Sequence, residues 1–225
     1  MSSLGVSLFG MFGSGVLARY GTLTLTASSP VQSFTEVLTL AEVRAYLKLP
    51  DREPPDQAED DLLTAFITAA REEAEILQNR DLVVKQYDLS RDYWPPYHVE
   101  LRAPLISVDL VKYRDSDGNY TTMTENTDYV VDTSKQPGVI TPPYGQTWPA
   151  YTPAPSSSLL VRFTSGMAAT DAFWSDAGAR VKVGMKLLIS AWYNGRLPFV
   201  QGRGFQELDY AVTSCLSTGA VPRVR

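Results

Sequence analysis

The stretch from Glu73 to Ser90, EAEILQNRDLVVKQYDLS, changes its hydrophobic period part-way along. Upstream of it and into it, Leu63, Phe66, Ile67, Ala70, Ala74 and Leu77 recur at three- and four-residue steps. That spacing aligns them on one side of an α-helix running to about Arg80. From Leu82 the chain breaks into short β-rich runs, VVKQYDLS, HVEL, VDLVKY, NYTTM, DYVVD, GVIT and LLVRFTSG, separated by Pro, Gly and Asp clusters. Helical spacing returns near Ser175, where Val181, Met185, Leu188 and Trp192 share one face and Lys182, Lys186 and Ser190 another. The predicted fold class is α+β: a small helical bundle, residues 38–81 and 175–196, with an antiparallel β unit inserted over 82–166.

Both flanks carry their own signals. In LTLAEVRAYLKL, Thr39 as N-cap and Glu42 three residues later form a capping box, and Leu38 with Val43 has the spacing of a hydrophobic staple; this helix should end before Pro50. Residues 1–37 read as a flexible N-terminal arm. Its start, MSSLGVSLFGMFGSGVLARY, is apolar but has no basic leader and is interrupted by Gly5, Gly10, Gly13 and Gly15, which argues against a signal peptide or a membrane span. Within the arm, Thr22 to Thr26 alternates polar and apolar, the pattern of a strand able to augment a neighbour's sheet. At the other end, residues 197–225, FQELDYAVTSCLSTG sets Phe205, Leu208, Val212 and Leu216 on one helical face before a stop at Gly219 and a basic tail with Arg223 and Arg225.

Charge narrows the function. The net charge of −5 and a pI near 5.0 argue against a general nucleic-acid binder, which needs an excess of Lys and Arg over the phosphate backbone. The charge is also unevenly placed: DREPPDQAEDD carries −5, whereas the chain from Asp176 onward carries +4. A single cysteine, Cys215, excludes an internal disulfide and a cysteine-based zinc site, and reads as a small buried apolar residue.

No motif assembles a reaction, and no cofactor or metal is expected. His98, the only histidine, stands at the entry of a strand with no Ser or Cys motif placed to make a nucleophile pair. DSDGN resembles the start of a calcium loop, but its glycine is at the fourth position and the twelfth is Asn126, so RDSDGNY reads as a hairpin turn with Asp117-Gly118 at the tip. GMFGSGV lacks the Gly-Lys-Ser/Thr of a phosphate loop. Asp60-Asp61 and Glu72-Glu73 diverge by about 100° around a helix and read as solvated faces. In LLISAWYNGR, Trp192 belongs to the core stripe, Tyr193 points away toward a partner, and Asn194-Gly195 ends the helix.

The order of LTLAEVRAYLKL, EDDLLTAFITAAREEAEILQNRDLV, DYVVDTSKQPGVITPPYGQTWP, LLVRFTSG and VKVGMKLLISAWYNGR resembles the head-tail connector (adaptor) proteins of tailed bacteriophages and gene transfer agents, from about Leu38 to Arg196. The resemblance implies packed helices carrying a β insertion and a non-enzymatic virion neck protein. It also implies a ring, twelvefold in relatives, beneath the portal protein, extending the DNA channel and offering a platform to the stopper or tail. A tail terminator or tail-completion ring is the alternative, with a DNA-binding packaging factor behind it. Twelve copies would carry about −60, letting double-stranded DNA pass without specific binding. Contacts between protomers are then expected at Tyr193, Lys182, Lys186, Glu59, Asp60 and Asp61. The segment with Phe205, Leu208, Val212, Leu216, Arg223 and Arg225 is expected to dock on the portal in helix-in-groove fashion; the open alternative is that its helix closes the protomer's own core.

Overall fold

A computed structural model describes residues 22–25, 35–50, 56–115, 117–149, 157–195 and 204–221, with only the backbone of 22–25 and 204–209. The first strand, β1, is Thr22–Leu25; helices α1 and α2 follow at Leu40–Leu47 and Gln57–Gln78. Seven strands come next: β2 Lys85–Arg91, β3 Val99–Glu100, β4 Leu105–Arg114, β5 Tyr120–Thr122, β6 Val130–Asp132, β7 Val139–Thr141 and β8 Leu159–Ser165. A 3₁₀ turn at Ala172–Ser175 leads into α3, Ala177–Asn194, and α4 spans Gly204–Leu216. The fold is α+β, with antiparallel strands between the second and third helices as the change of period predicts.

Local chemistry sets the helix ends. The Thr39 hydroxyl accepts from the Glu42 N–H at 3.2 Å while the Glu42 carboxylate takes the Thr39 N–H at 2.9 Å, closing the predicted capping box. Leu38 and Val43 are both buried beside it. Lys48 and Asn79 adopt left-handed backbone and end α1 and α2. Gly195 ends α3 differently: its φ is −90°, so the expected left-handed stop is not used there, and the Asn194 amide donates back to the Ser190 carbonyl at 2.9 Å.

The larger sheet has the order β1-β2-β8-β4-β5 and the smaller one β3-β7-β6. In β2 and β8 alternate residues are buried, and Tyr87 stacks on Phe163 across the pair with centroids 5.6 Å apart. On the opposite face Arg162 makes a bidentate pair with Asp88, at 2.7 and 2.9 Å. A one-residue slip would exchange these faces, so the two contacts fix the register together. Asp115 makes the β4–β5 turn by accepting from the N–H groups of Asp117 and Asn119, and Gly118 takes φ +82° at the tip. The strand expected in the arm, β1, adds to its own chain's sheet, antiparallel to β2 with Thr22 opposite Ser90.

Apolar side chains form two clusters, one among the helices and one among the strands. Within the first, Gly184 lets α3 and α4 approach so closely that a β-carbon there would lie 2.7 Å from Leu216 Cδ2. Between the clusters lies a buried polar junction built on the segment where the period changes. Glu75 accepts from Arg71 Nη1 at 2.8 Å, Lys85 Nζ at 2.6 Å and the Leu82 N–H at 3.0 Å. Asp81, wholly buried, accepts from Arg102 Nε at 2.6 Å, the Tyr87 hydroxyl at 3.0 Å and the Ser165 hydroxyl. Arg71 also reaches Glu36 at 3.0 Å and Glu72 at 3.5 Å, so four carboxylates face three cations. Burial pushes the Tyr87 phenol well above its usual range, and the neighbouring Asp81 charge pushes it further. Next to Ser165, Gly166 has φ +121°, and a β-carbon there would lie 2.1 Å from the Val83 carbonyl oxygen, so only glycine lets β8 pass the α2–β2 connection.

Glu75 and Glu73 sit on the same helix with opposite surroundings, one buried and one exposed. Glu75→Ala removes the carboxylate 2.6 Å from Lys85 and a partner of Arg71, both buried, and should cost about 3–5 kcal/mol. Glu73→Ala should stay within about 0.5 kcal/mol. Urea denaturation of the two variants measures the difference.

Candidate protein-interaction site

The residues expected to join protomers converge on a polar seam where α1, α2 and α3 meet. Arg44 of α1 pairs with Asp60 of α2, lies 3.9 Å from Glu59, and donates to the Pro50 carbonyl at 3.1 Å. The Tyr193 hydroxyl of α3 donates to Glu59 at 2.7 Å. Lys186 of α3 stands 3.9 Å from Glu42 of α1. The Thr39 backbone N–H is the main reason the Glu42 carboxyl lies below its ordinary pKa; burial opposes it and Lys186 adds to it. Lys182 places its ammonium 5.5 Å from the Trp174 ring centre. Asp61, exposed, accepts from the Gln57 amide at 2.8 Å.

This arrangement changes the reading of Tyr193, while Trp192 keeps its place against the helical cluster. Tyr193 does not point away from the protomer: it is half-buried, packs against the helical cluster and bonds α2. Trp192 is also only half-buried, tilted against Phe66 with centroids 5.8 Å apart. A helical wheel for α3 alone places α2 on neither residue, but α2 reaches both. All six expected contact residues have partners inside the protomer, and Asp61 presents the most exposed side chain.

The C-terminal segment divides likewise. Val212 and Leu216 are buried in the helical cluster, so those two positions close the protomer's core. The side chains of Phe205 and Leu208, and Arg223 and Arg225 altogether, lie outside what is described. Beyond α4 the chain is clipped to the end of α2: the Val221 N–H donates to the Gln78 carbonyl at 2.9 Å and Arg80 donates to the Gly219 carbonyl. Burial lowers the Arg80 pKa, with Asp171 partly offsetting it. Cys215 is half-buried.

His98 is exposed, 3.4 Å from Glu100. Among the described residues no cluster of His, Cys, Asp and Glu has the geometry of a metal site, and no helix is long and apolar enough to cross a membrane. Sequence reasoning missed the buried junction, although Arg71 and Glu75 continue the inward face at the four-residue step from Ile67. It also missed the aromatic loops after β2 and β7, where WPPY and PPYGQTWP place Trp94 against Trp148.

No protein-family model matches the chain, and no curated protein matches it. Solved structures do. A chain in the neck of an empty GTA particle, computed with C6 symmetry, has TM-score 0.67 and 21% identity, covering 91% of this chain and 97% of that one. A chain in the virion of a native gene transfer agent (GTA) particle has TM-score 0.66 and 20% identity, covering 90% and 97%. One in the neck of the native particle, computed with C12 symmetry, has TM-score 0.59 and 19% identity, covering 86% and 98%. At these identities the likeness is one of fold, and it extends over nearly the whole of each neighbour.

Removing only the hydroxyl from Tyr193 isolates its bond to α2. Tyr193→Phe should lower stability by about 0.5–1.5 kcal/mol. Tyr193→Ala should cost distinctly more, because the ring's packing goes as well. Urea denaturation of the pair checks this; an unchanged midpoint in both variants would return Tyr193 to the role of a free contact residue.

Proposed function

We propose that this chain is a structural protein of the virion neck of a tailed bacteriophage or gene transfer agent. The observation that carries the reading is the likeness to neck and virion chains over nine-tenths of this chain and almost all of theirs. The order of motifs between Leu38 and Arg196 supports the same reading from the sequence. More closely, the chain acts as a head-tail adaptor: copies of it, twelve by analogy with the C12 neck, form a ring beneath the portal protein. The ring extends the DNA channel and presents a platform to the stopper or tail, and does no catalysis.

The acidic balance suits that task. A channel wall poor in net positive charge lets DNA slide, since neutralising phosphates is what makes a protein hold it. Docking on the portal falls to the part of the C-terminal segment that the protomer's core does not use: Phe205, Leu208 and the tail with Arg223 and Arg225. The two arginines act chiefly on association rate and salt sensitivity. Between neighbouring copies, Asp61 and Lys182 at opposite ends of the polar seam supply charges of opposite sign.

Electron microscopy of the protein mixed with its cognate portal tests this. The expected result is a ring of density added beneath the portal, absent when the chain is left out. A protein that rings without portal and caps tail tubes would overturn the adaptor role in favour of a tail terminator. A retarded DNA band at physiological salt would overturn it in favour of a packaging factor.

A further inference from the structure

The loops flanking β3 and β7 build an aromatic ledge that neither the polar seam nor the helical core uses. Trp94 and Trp148 stack with centroids 4.2 Å apart and 13° between their planes. β3 pairs with β7 through Val99 and Ile140, which carries Tyr97 alongside the loop leading to Tyr144 and Trp148. Tyr93 and Tyr97 are 56% and 79% exposed, and Tyr144 is fully exposed. The flanking prolines of WPPY and PPY restrict the backbone that holds them. Stiffly held tyrosines around a tryptophan pair, Trp94 buried and Trp148 half-buried, are the residue types that dominate protein contacts. The Trp148 indole N–H is buried with no acceptor among the described residues, which suits a backbone carbonyl arriving from elsewhere in the chain.

The occupant follows from where the N-terminal arm joins the fold. β1 runs antiparallel to β2 with Thr22 opposite Ser90, so the N-terminal end of β1 lies at the C-terminal end of β2, beside Arg91 and Asp92, where the ledge begins. Residues 1–21 include Leu4, Val6, Leu8, Phe9, Met11 and Phe12, and their one charged side chain is Arg19. Such a segment, left in water, is an association hazard. Ten extended residues reach about 33 Å, enough to cross the ledge. Attachment at its edge gives the arm an effective concentration of about millimolar, which another copy in dilute solution does not match.

We propose that the apolar arm of each chain packs in cis on the ledge formed by Tyr93, Tyr97, Tyr144 and the Trp94–Trp148 pair. Its apolar side chains are thereby covered while the protein is free.

The test places a photoreactive benzoylphenylalanine at Phe9, and separately at Phe12, in the full chain. Light-induced crosslinks are then mapped by mass spectrometry in an equal mixture of unlabelled and ¹⁵N-labelled protein. The expected result is crosslinks concentrated in residues 92–98 and 142–149 and confined to a single isotope. The double substitution Tyr97→Ala and Tyr144→Ala should lower their yield about fivefold or more. It should leave the thermal midpoint in place, because both side chains are exposed. Crosslinks falling elsewhere, or unaffected by the double substitution, would overturn the proposal. Mixed-isotope crosslinks would also overturn it, by making the occupant another copy's arm.

Discussion

Two buried carboxylates, Glu75 and Asp81, stand where a helix hands over to a sheet, and the rest of the structure depends on their being neutralised there. A carboxylate out of water is tolerable only when cations and hydrogen-bond donors surround it. Glu75 draws Arg71 from its own helix and Lys85 from β2; Asp81 draws Arg102, Tyr87 and Ser165 from the sheet side. Burial disfavours the charge on Arg102, yet Asp81, with Tyr87 and Glu75 adding to it, more than compensates and holds its pKa above the ordinary value. Because these partners come from both layers, α2 cannot shift against the sheet without exposing an unpaired charge. Gly166 lets β8 come near enough for Ser165 to join the group.

Element order was legible because period is a local property. A helix and a strand repeat their apolar residues differently, so the change near Leu82 and the return near Ser175 marked the β unit, and the capping box at Thr39 could be read from residue types alone. What packs on what was less legible. The sequence shows that Trp192 and Tyr193 point in different directions, but not that α2 lies across both, with Phe66 under one and Glu59 beside the other. Arg71 and Glu75 look like solvated helix charges until their place on the inward face is noticed, and their partners beyond α2, Glu36 ahead of α1 and Lys85 on β2, lie on segments that helical spacing cannot reveal. The alternation at Thr22–Leu25 predicted a strand, yet whose sheet it joins depends on the exposed edge of β2, a tertiary fact.

These placements bear on the proposed neck role. Charges expected to join protomers mostly brace helices within one, and Val212 with Leu216 closes the core in place of reaching for the portal. Among the described residues, the surfaces this leaves open are the aromatic ledge and the exposed ends of the polar seam. A ring component passes load from one neighbour to the next, which asks for two layers that move together. The junction at Glu75 and Asp81 supplies that coupling.

Native-state hydrogen exchange tests whether the helices and the sheet form one cooperative unit. The most protected amides of α2, between Leu63 and Ala74, are compared with those of β8, between Leu159 and Ser165, as denaturant is raised. The account predicts that both sets converge on one opening free energy with one denaturant dependence. Helical amides that open several kcal/mol more easily than those of β8, with a shallower dependence, would show that the layers unfold separately and would contradict it.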